Sequence, residues 1–313
     1  MIQSINLSLS TQCSASCIFC PSDRGKYSKQ KIMPFEIAKH IIDEIADTEL
    51  LGTVQKLEIS ENGDFLTNPF AIMILRYIRK KLPNIWINAF SNFSLMDKKT
   101  SEILLGENLI NNIITNIDSS NPIHYKAIKN LDLEKSIANL RDFVTVRNDM
   151  NKSVSIQMII LSLGRYIDAV KNRLGSYPIK LQEHPERFSE TSVKDDTFET
   201  QKYLLENLPL LPTDTASMSA IMLWAERKQA NFKHGKCVNL YRLEKEIFIN
   251  PSGEVYLCCF DSAGKIKLGN VMEKSILDIF NDPERLKLIE LLIQGKFAEV
   301  GDPCNSSVCC SMA

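Results

Sequence analysis

The sequence predicts an α/β fold built on a parallel sheet, and three observations carry that expectation. Strand-like alternation recurs through the first two thirds of the chain, and helix-period segments lie between most of the strand-like ones. Near the C-terminus the turn chemistry changes to that of a β-hairpin. The series amounts to about six βα units, which fits a partial barrel or an open doubly wound sheet.

The elements follow in order. Ile5, Leu7 and Leu9 alternate with Asn6, Ser8 and Ser10, giving a strand that runs into a cysteine-bearing loop. Pro34 opens a helix as its first-turn residue, and Phe35, Ile37, Ala38, Ile41, Ile42 and Ile45 follow at helical spacing. Strand-like segments recur at 54–60, 85–90, 111–117, 153–161 and 178–182, with helical patterns over 69–82, 97–105, 132–144 and 165–174. Residues 183–235 carry a charged stretch from Glu183 to Lys202 and then a helix-like run through Met222, Leu223 and Trp224. Beyond them, Glu246 to Cys259 reads as a hairpin: Ile247, Phe248 and Ile249, a Pro251-Ser252-Gly253 turn, then Val255, Tyr256 and Leu257. Helices fill 274–295. The predicted division is a core over 1–182, a linking and substrate-facing helical segment over 183–235, and a small C-terminal domain over 236–313.

Composition narrows the classes of function. The chain has 313 residues, 44% hydrophobic and 24% charged, with Gly 12 and Pro 12, which argues for a folded globular protein rather than a disordered or collagen-like one. Lys+Arg 37 against Asp+Glu 38 leaves a net charge of -1, so no net field draws the protein to nucleic acid or an anionic membrane surface. Met1 to Ile5 lack a basic region followed by an apolar one, and no apolar run of about 18 residues occurs. A cytoplasmic protein is expected, without nucleic-acid or membrane partners. In that compartment thiols stay reduced, so nine cysteines read as metal ligands or reactive groups rather than disulfides. No P-loop, dinucleotide glycine fingerprint, HExxH or GxSxG is present. His40 falls in an amphipathic helix, while His124, His184 and His234 fall in loops without ligand spacing, and Arg79-Lys80-Lys81 solvates a helix end.

The cysteines divide into two groups. Cys13, Cys17 and Cys20 form a C-x3-C-x2-C triplet just after the first strand, and the other six lie between Cys237 and Cys310. Three thiolates suit three corners of an iron-sulfur cube and leave one iron without a protein ligand. Zinc is the alternative, but a structural zinc site uses four closed ligands, and neither a His nor a fourth Cys lies nearby in sequence.

With the strand before it and the βα series after it, this triplet resembles the radical S-adenosylmethionine (SAM) superfamily. The resemblance implies a partial (β/α)6 TIM-like barrel with a [4Fe-4S] cluster whose open iron is chelated by SAM. It further implies reductive cleavage of SAM to a 5′-deoxyadenosyl radical that takes a hydrogen atom from the substrate. An electron donor such as flavodoxin or ferredoxin would serve the cluster. Phe19 occupies the family's aromatic position before the third cysteine, near adenine, and otherwise reads as a packing residue. Asn62, Gly63 and Asp64 take the place of the family's Gly-Gly-Glu motif for the SAM amino group, with Asn62 for the first glycine and Asp64 for the glutamate; the same residues also read as an ordinary Asn-Gly turn. Ser91 and Asn92 resemble a position near the SAM carboxylate and ribose, and Gln157 on the fifth strand is placed to reach the ribose.

Cys237 and the Gly253-to-Cys258 stretch form C-x15-G-x4-C, followed by Leu268-Gly269-Asn270-Val271, Cys304 and the pair Cys309-Cys310. This resembles the auxiliary-cluster domain called SPASM, or its shorter form, twitch. The full form uses seven cysteines, and with six here and no C-x2-C-x5-C-x3-C run the short form with one auxiliary [4Fe-4S] cluster fits better. Its ligands are expected to be Cys237, Cys258, Cys304 and either Cys309 or Cys310, with zinc on the same cysteines as the alternative. An alternating strand would point Cys258 and Cys259 to opposite faces. Cys259 is then left as a candidate hydrogen donor, or as an inert buried thiol. An auxiliary cluster able to accept the second electron gives oxidation; a thiol returning a hydrogen atom gives an epimer. The substrate expected from the family is a peptide or a small polar metabolite of the sugar or aminocyclitol type. The rival readings are an electron-transferring or scaffold iron-sulfur protein and a zinc-stabilised binding module.

Overall fold

The computed structural model describes residues 1–17, 20, 31–60, 62–162, 196–220, 237, 239–261 and 264–305. The described chain separates into two compact units. One comprises Met1–Gln12, Pro21–Ile87 and Leu223–Ala313, the other Cys13–Cys20 and Asn88–Met222.

In the first unit the strand order is β2 (Lys56–Ile59), β1 (Ser4–Leu7), β7 (Glu246–Ile249), β8 (Glu254–Tyr256) and β9 (Lys267–Asn270). β1 is parallel to both neighbours, Ser4 standing opposite Lys56 on one side and Glu246 on the other. All four residues of β1 and all four of β7 are buried, as strands covered on both faces should be. β7, β8 and β9 then run antiparallel, so the predicted hairpin is present and a third strand extends it. Helix α1 (Phe35–Asp47) buries Ala38, Ile41, Ile42 and Ile45 along one stripe and packs on α2 (Ala71–Lys81), whose last turn carries Arg79, Lys80 and Lys81. Pro34 stands one residue earlier than expected: it is the extended cap, with ψ at 149°, and the helix proper begins at Phe35.

β3 (Trp86–Phe90) straddles the division. In the second unit the order is β6 (Thr215–Ala220), β5 (Ser155–Ser162), β4 (Asn112–Asn116) and β3, every pair parallel. Parallel neighbours need crossovers, and helices α3 (Lys98–Gly106), α4 (Pro122–Lys129), α5 (Leu133–Asp149) and α6 (Thr197–Asn207) lie in them. The sixth strand is therefore at 215–220, inside the segment read as helical linker. The strand expected at 178–182, the helix at 165–174 and the run through Trp224 lie outside the described residues. β6 is held by its backbone ladder to β5 and by a buried ion pair at its start. Arg147 on α5 grips both Asp214 oxygens, at 2.6 and 2.8 Å, and Asp214 also accepts the Ile156 N–H at 3.0 Å. His124 is not in a loop. It lies in the first turn of α4, where Asn121 caps the N–H groups of Ile123 and His124 and Pro122 supplies the first helical φ.

Candidate functional site

The triplet loop belongs to the second unit. Cys13, Cys17 and Cys20 are each half-buried, and the Cys20 N–H returns to the Cys17 carbonyl at 3.1 Å, closing a turn between the second and third thiols. The loop is tied at two places. Asn92, just past β3, donates from Nδ2 to the Cys13 sulfur at 3.4 Å and to Ser14 Oγ at 3.0 Å, while its Oδ1 accepts the Ser94 N–H at 2.9 Å. The Ser16 N–H meets the Lys129 carbonyl, at the end of α4, at 2.7 Å.

The Lys129 side chain turns inward and is buried. Its Nζ donates to the Asn116 carbonyl at 2.6 Å and lies 3.2 Å from Asp118, which also accepts the Leu161 N–H. Burial alone would lower the Lys129 pKa, but Asp118, Cys17 and Tyr125 outweigh it and hold the ammonium charged. Burial pushes the Cys17 thiol up to about 12, with Lys129 pulling it down and the neighbouring thiols and Asp118 adding to the rise. A bound metal reverses this, because its own charge deprotonates a coordinating thiol.

Ser91 is buried, and its hydroxyl accepts the Phe93 N–H at 3.1 Å. Gln157 faces out from β5, opposite to the buried Ile156 and Met158, with its side chain exposed. Phe19 lies outside the described residues.

Gly63 and Asp64 belong to the first unit, after β2. Gly63 has φ of +85°, and a Cβ there would stand 2.3 Å from the Ser10 carbonyl oxygen and 2.6 Å from that of Gln12. Only glycine fits both the conformation and the space. Asp64 donates its N–H to the same Gln12 carbonyl at 2.9 Å, and its buried carboxylate accepts the Leu66 N–H at 3.0 Å, capping a 3-10 turn over Phe65–Thr67. Asn62 donates to the Tyr256 hydroxyl at 3.3 Å. The Asn-Gly turn is thus real, and it seats the loop against the residues that lead into Cys13.

The second cysteine site lies wholly in the first unit. Cys237, Cys258 and Cys304 line one pocket together with Leu243, Leu257 and Phe297. Soft thiolates on an apolar wall suit an iron-sulfur cluster. Cys309 and Cys310 lie outside the described residues. Among the described residues, no three His, Cys, Asp or Glu side chains close around a single ion. Cys258 and Cys259 do not take opposite faces. β8 ends at Tyr256, so strand alternation stops before them, and one amide, Asn239 Nδ2, reaches both sulfurs, at 3.2 and 3.5 Å. The hydrogen bond with Cys259 lowers the Cys258 thiol pKa, aided by the Phe260 N–H, Asn239 and the Arg242 guanidinium and opposed by burial. Sequence reasoning missed Asn239, Arg242, Lys129 and Asp118, none of which stands in a recognisable spacing to a cysteine.

Residues 237–310 match the family model of SPASM, described as an iron-sulfur cluster-binding domain. The C-terminal segment is thus similar to a SPASM domain. Its description agrees with the auxiliary cluster expected from the cysteines. The whole chain is similar in structure to BtrN in complex with AdoMet and 2-DOIA, with TM-score 0.57 and 12% identity over 99% of this chain and 92% of that one. It is similar to anSMEcpe with bound AdoMet, with TM-score 0.61 and 12% identity over 94% and 81% of the two chains. It is also similar to Streptococcus suis SuiB bound to S-adenosylmethionine, with TM-score 0.61 and 15% identity over 99% and 77%. No curated protein matches the sequence. These likenesses bear out the fold expected from the sequence, an α/β architecture on a mostly parallel sheet. No described helix is long and apolar enough to cross a membrane.

Proposed function

We propose that the chain is a radical SAM enzyme that oxidises a carbon of its substrate. The observation that carries this reading is the presence of two separate cysteine sites of different build, a half-buried triplet with no fourth protein ligand in its sequence loop and a SPASM pocket lined by three more thiols. Cys13, Cys17 and Cys20 would hold a [4Fe-4S] cluster with SAM on its open iron, and Cys237, Cys258, Cys304 and one of Cys309 or Cys310 an auxiliary [4Fe-4S] cluster. When bound, these groups supply a 5′-deoxyadenosyl radical that removes one hydrogen atom from the substrate and an acceptor for the electron left behind, the proton leaving to solvent.

The chain's own residues do the positioning. Asn92 orients the Cys13 sulfur, Lys129 anchors the loop at Ser16, and the Gly63–Asp64 turn offers the site of the SAM amino group. Ser91 and Asn92, just past β3, and Gln157 on β5 are the residues proposed for the ribose and carboxylate, and Phe19 for the adenine.

Oxidation is favoured over epimerisation by the state of Cys259. Its residue surface is 5% exposed and its sulfur is engaged by Arg242 and Asn239, which does not suit a hydrogen donor facing a substrate. The bound molecules of the structural neighbours, AdoMet with 2-DOIA in one and AdoMet with the Cp18Cys peptide in another, support SAM as cofactor and a peptide or a small polar metabolite as substrate. A reduced flavodoxin or ferredoxin in the cytoplasm is the proposed electron source. Anaerobic reconstitution tests the reading: about eight irons per chain and 5′-deoxyadenosine formation under dithionite are expected. Four irons, or no cleavage, would refute it.

A further inference from the structure

The SPASM site presents two adjacent thiols, and the surrounding residues treat them differently. Cys258 lines the pocket with Cys237 and Cys304, and Cys259 is not among the lining residues. The Cys258 sulfur accepts the Asn239 amide at 3.2 Å and the Phe260 N–H at 3.5 Å. The Cys259 sulfur accepts Arg242 Nη1 at 3.2 Å, and the Asn239 amide lies farther from it, at 3.5 Å.

Arg242 has little freedom to follow a moving sulfur. Its Nε donates to Glu246 at 2.9 Å and its Nη2 to Asn6 Oδ1 on β1 at 3.2 Å. Its guanidinium carbon lies 5.3 Å from the centre of the Phe248 ring. Asn6 closes the network by donating to the same Glu246 oxygen at 2.9 Å. Glu246 and Phe248 sit on β7 and Asn6 on β1, so the guanidinium is fixed by two paired strands.

We propose that Asn239 and Arg242 are positioning residues for the cluster of the SPASM domain: Asn239 donates to the sulfur of the ligand Cys258, and Arg242 holds Cys259 out of the ligand set. The proposal rests on the auxiliary-cluster reading above. N–H donors to a ligand sulfur, and a fixed positive charge close by, stabilise the reduced cluster because reduction adds one negative charge. The pair therefore raises the reduction potential, which is the direction an electron acceptor needs. When bound, the cluster would supply an acceptor for one electron, and no bond to Asn239 or Arg242 would form or break.

The test uses the full chain with Cys13, Cys17 and Cys20 replaced by Ala, so that only the SPASM cluster is loaded. Iron content is measured after anaerobic reconstitution, and the midpoint potential is read by electron paramagnetic resonance at controlled potentials. About four irons are expected in this parent and in its Cys259→Ala form, and loss of them in its Cys258→Ala form. Asn239→Ala and Arg242→Gln should each lower the reduction equilibrium constant at least tenfold, which for one electron is about 59 mV. Arg242→Lys, which keeps the charge, should recover part of the shift. Unmoved potentials in Asn239→Ala and Arg242→Gln overturn the proposal, as does iron lost from Cys259→Ala but kept in Cys258→Ala. If Arg242→Gln does not fold, the potential of Asn239→Ala decides alone. A parent that binds no iron is a distinct result, and it removes the auxiliary-cluster reading itself.

Discussion

The two cysteine sites share one device and differ in everything around it. At each, an asparagine amide points at a cysteine sulfur, Asn92 at Cys13 over 3.4 Å and Asn239 at Cys258 over 3.2 Å. At the triplet the three cysteines keep part of their surface in solvent, and the nearby cation, Lys129, spends its contacts on Asp118 and a backbone carbonyl. At the SPASM site Cys258, Cys259 and Cys304 are buried, and the cation, Arg242, reaches a sulfur directly. Solvent exposure and hydrogen bonds to sulfur both set cluster potentials. Among the described C-terminal cysteines Cys237 alone is half-buried, and on the proposed reading the contrast would suit an open, low-potential cluster at the triplet and a more enclosed, higher-potential one at the C-terminal site.

The comparison breaks most completely at the thiols. Cys17→Ser should abolish SAM cleavage and halve the iron, whereas Cys258→Ser should halve the iron while leaving reductive SAM cleavage, measured as 5′-deoxyadenosine, in place. Equal effects on cleavage would erase the division of labour.

Next in size is the buried ion pair behind the triplet. Lys129→Met leaves Asp118 without its cation and should cost about 3–5 kcal/mol in urea unfolding, the range for breaking a buried pair from one side. Lys129→Met with Asp118→Leu should recover most of that, and the SPASM iron content should be unaffected by either.

Gly63→Ala meets two backbone oxygens and a φ of +85° at once. A loss of about 3 kcal/mol is expected from the strain and overpacking together. A thermal shift by added SAM should shrink with it.

The smallest effect sharpens the SPASM side. Hydrogen bonds from Lys267 and Asn250 hold the Glu254 carboxyl at about 2 against its ordinary 4.5, with burial opposing and Lys31 assisting. Because the folded value is the lower one, the stabilisation is complete above pH 4.5 and fades as pH falls toward 2. Partial exposure limits it to about 1 kcal/mol. Glu254→Gln should therefore be less stable than the parent at pH 7 and match it near pH 2 in denaturant titrations.

The sequence made some of this visible and hid the rest for physical reasons. Strands β1 to β5 announce themselves because their apolar residues recur at period two and are buried. β6, with the sequence Thr-Ala-Ser-Met-Ser-Ala, is mostly exposed, so its pairing with β5 leaves no hydrophobic pattern to read. The cysteine spacing pointed to both candidate sites, because ligand geometry constrains local sequence. The charged partners escaped because Arg147 and Asp214 are 67 residues apart, and Asn6 and Glu246 are 240 apart. The opposite-face reading of Cys258 and Cys259 failed because it extended a strand two residues past its end.

The position of β1 between β2 and β7 bears on how the chain is made. One side of β1 can pair as soon as residues 56–59 have emerged, but the other waits for residues 246–249, nearly two hundred residues later. At about 5–20 residues per second of synthesis, that interval is on the order of ten seconds or longer. During it, the N-terminal strand presents a row of unpaired N–H and C=O groups flanked by buried-type side chains, a template for pairing with the wrong chain. The C-terminal hairpin therefore does more than carry Cys258: by supplying β7 it closes the edge of β1, and until it arrives that edge stays open to mispairing.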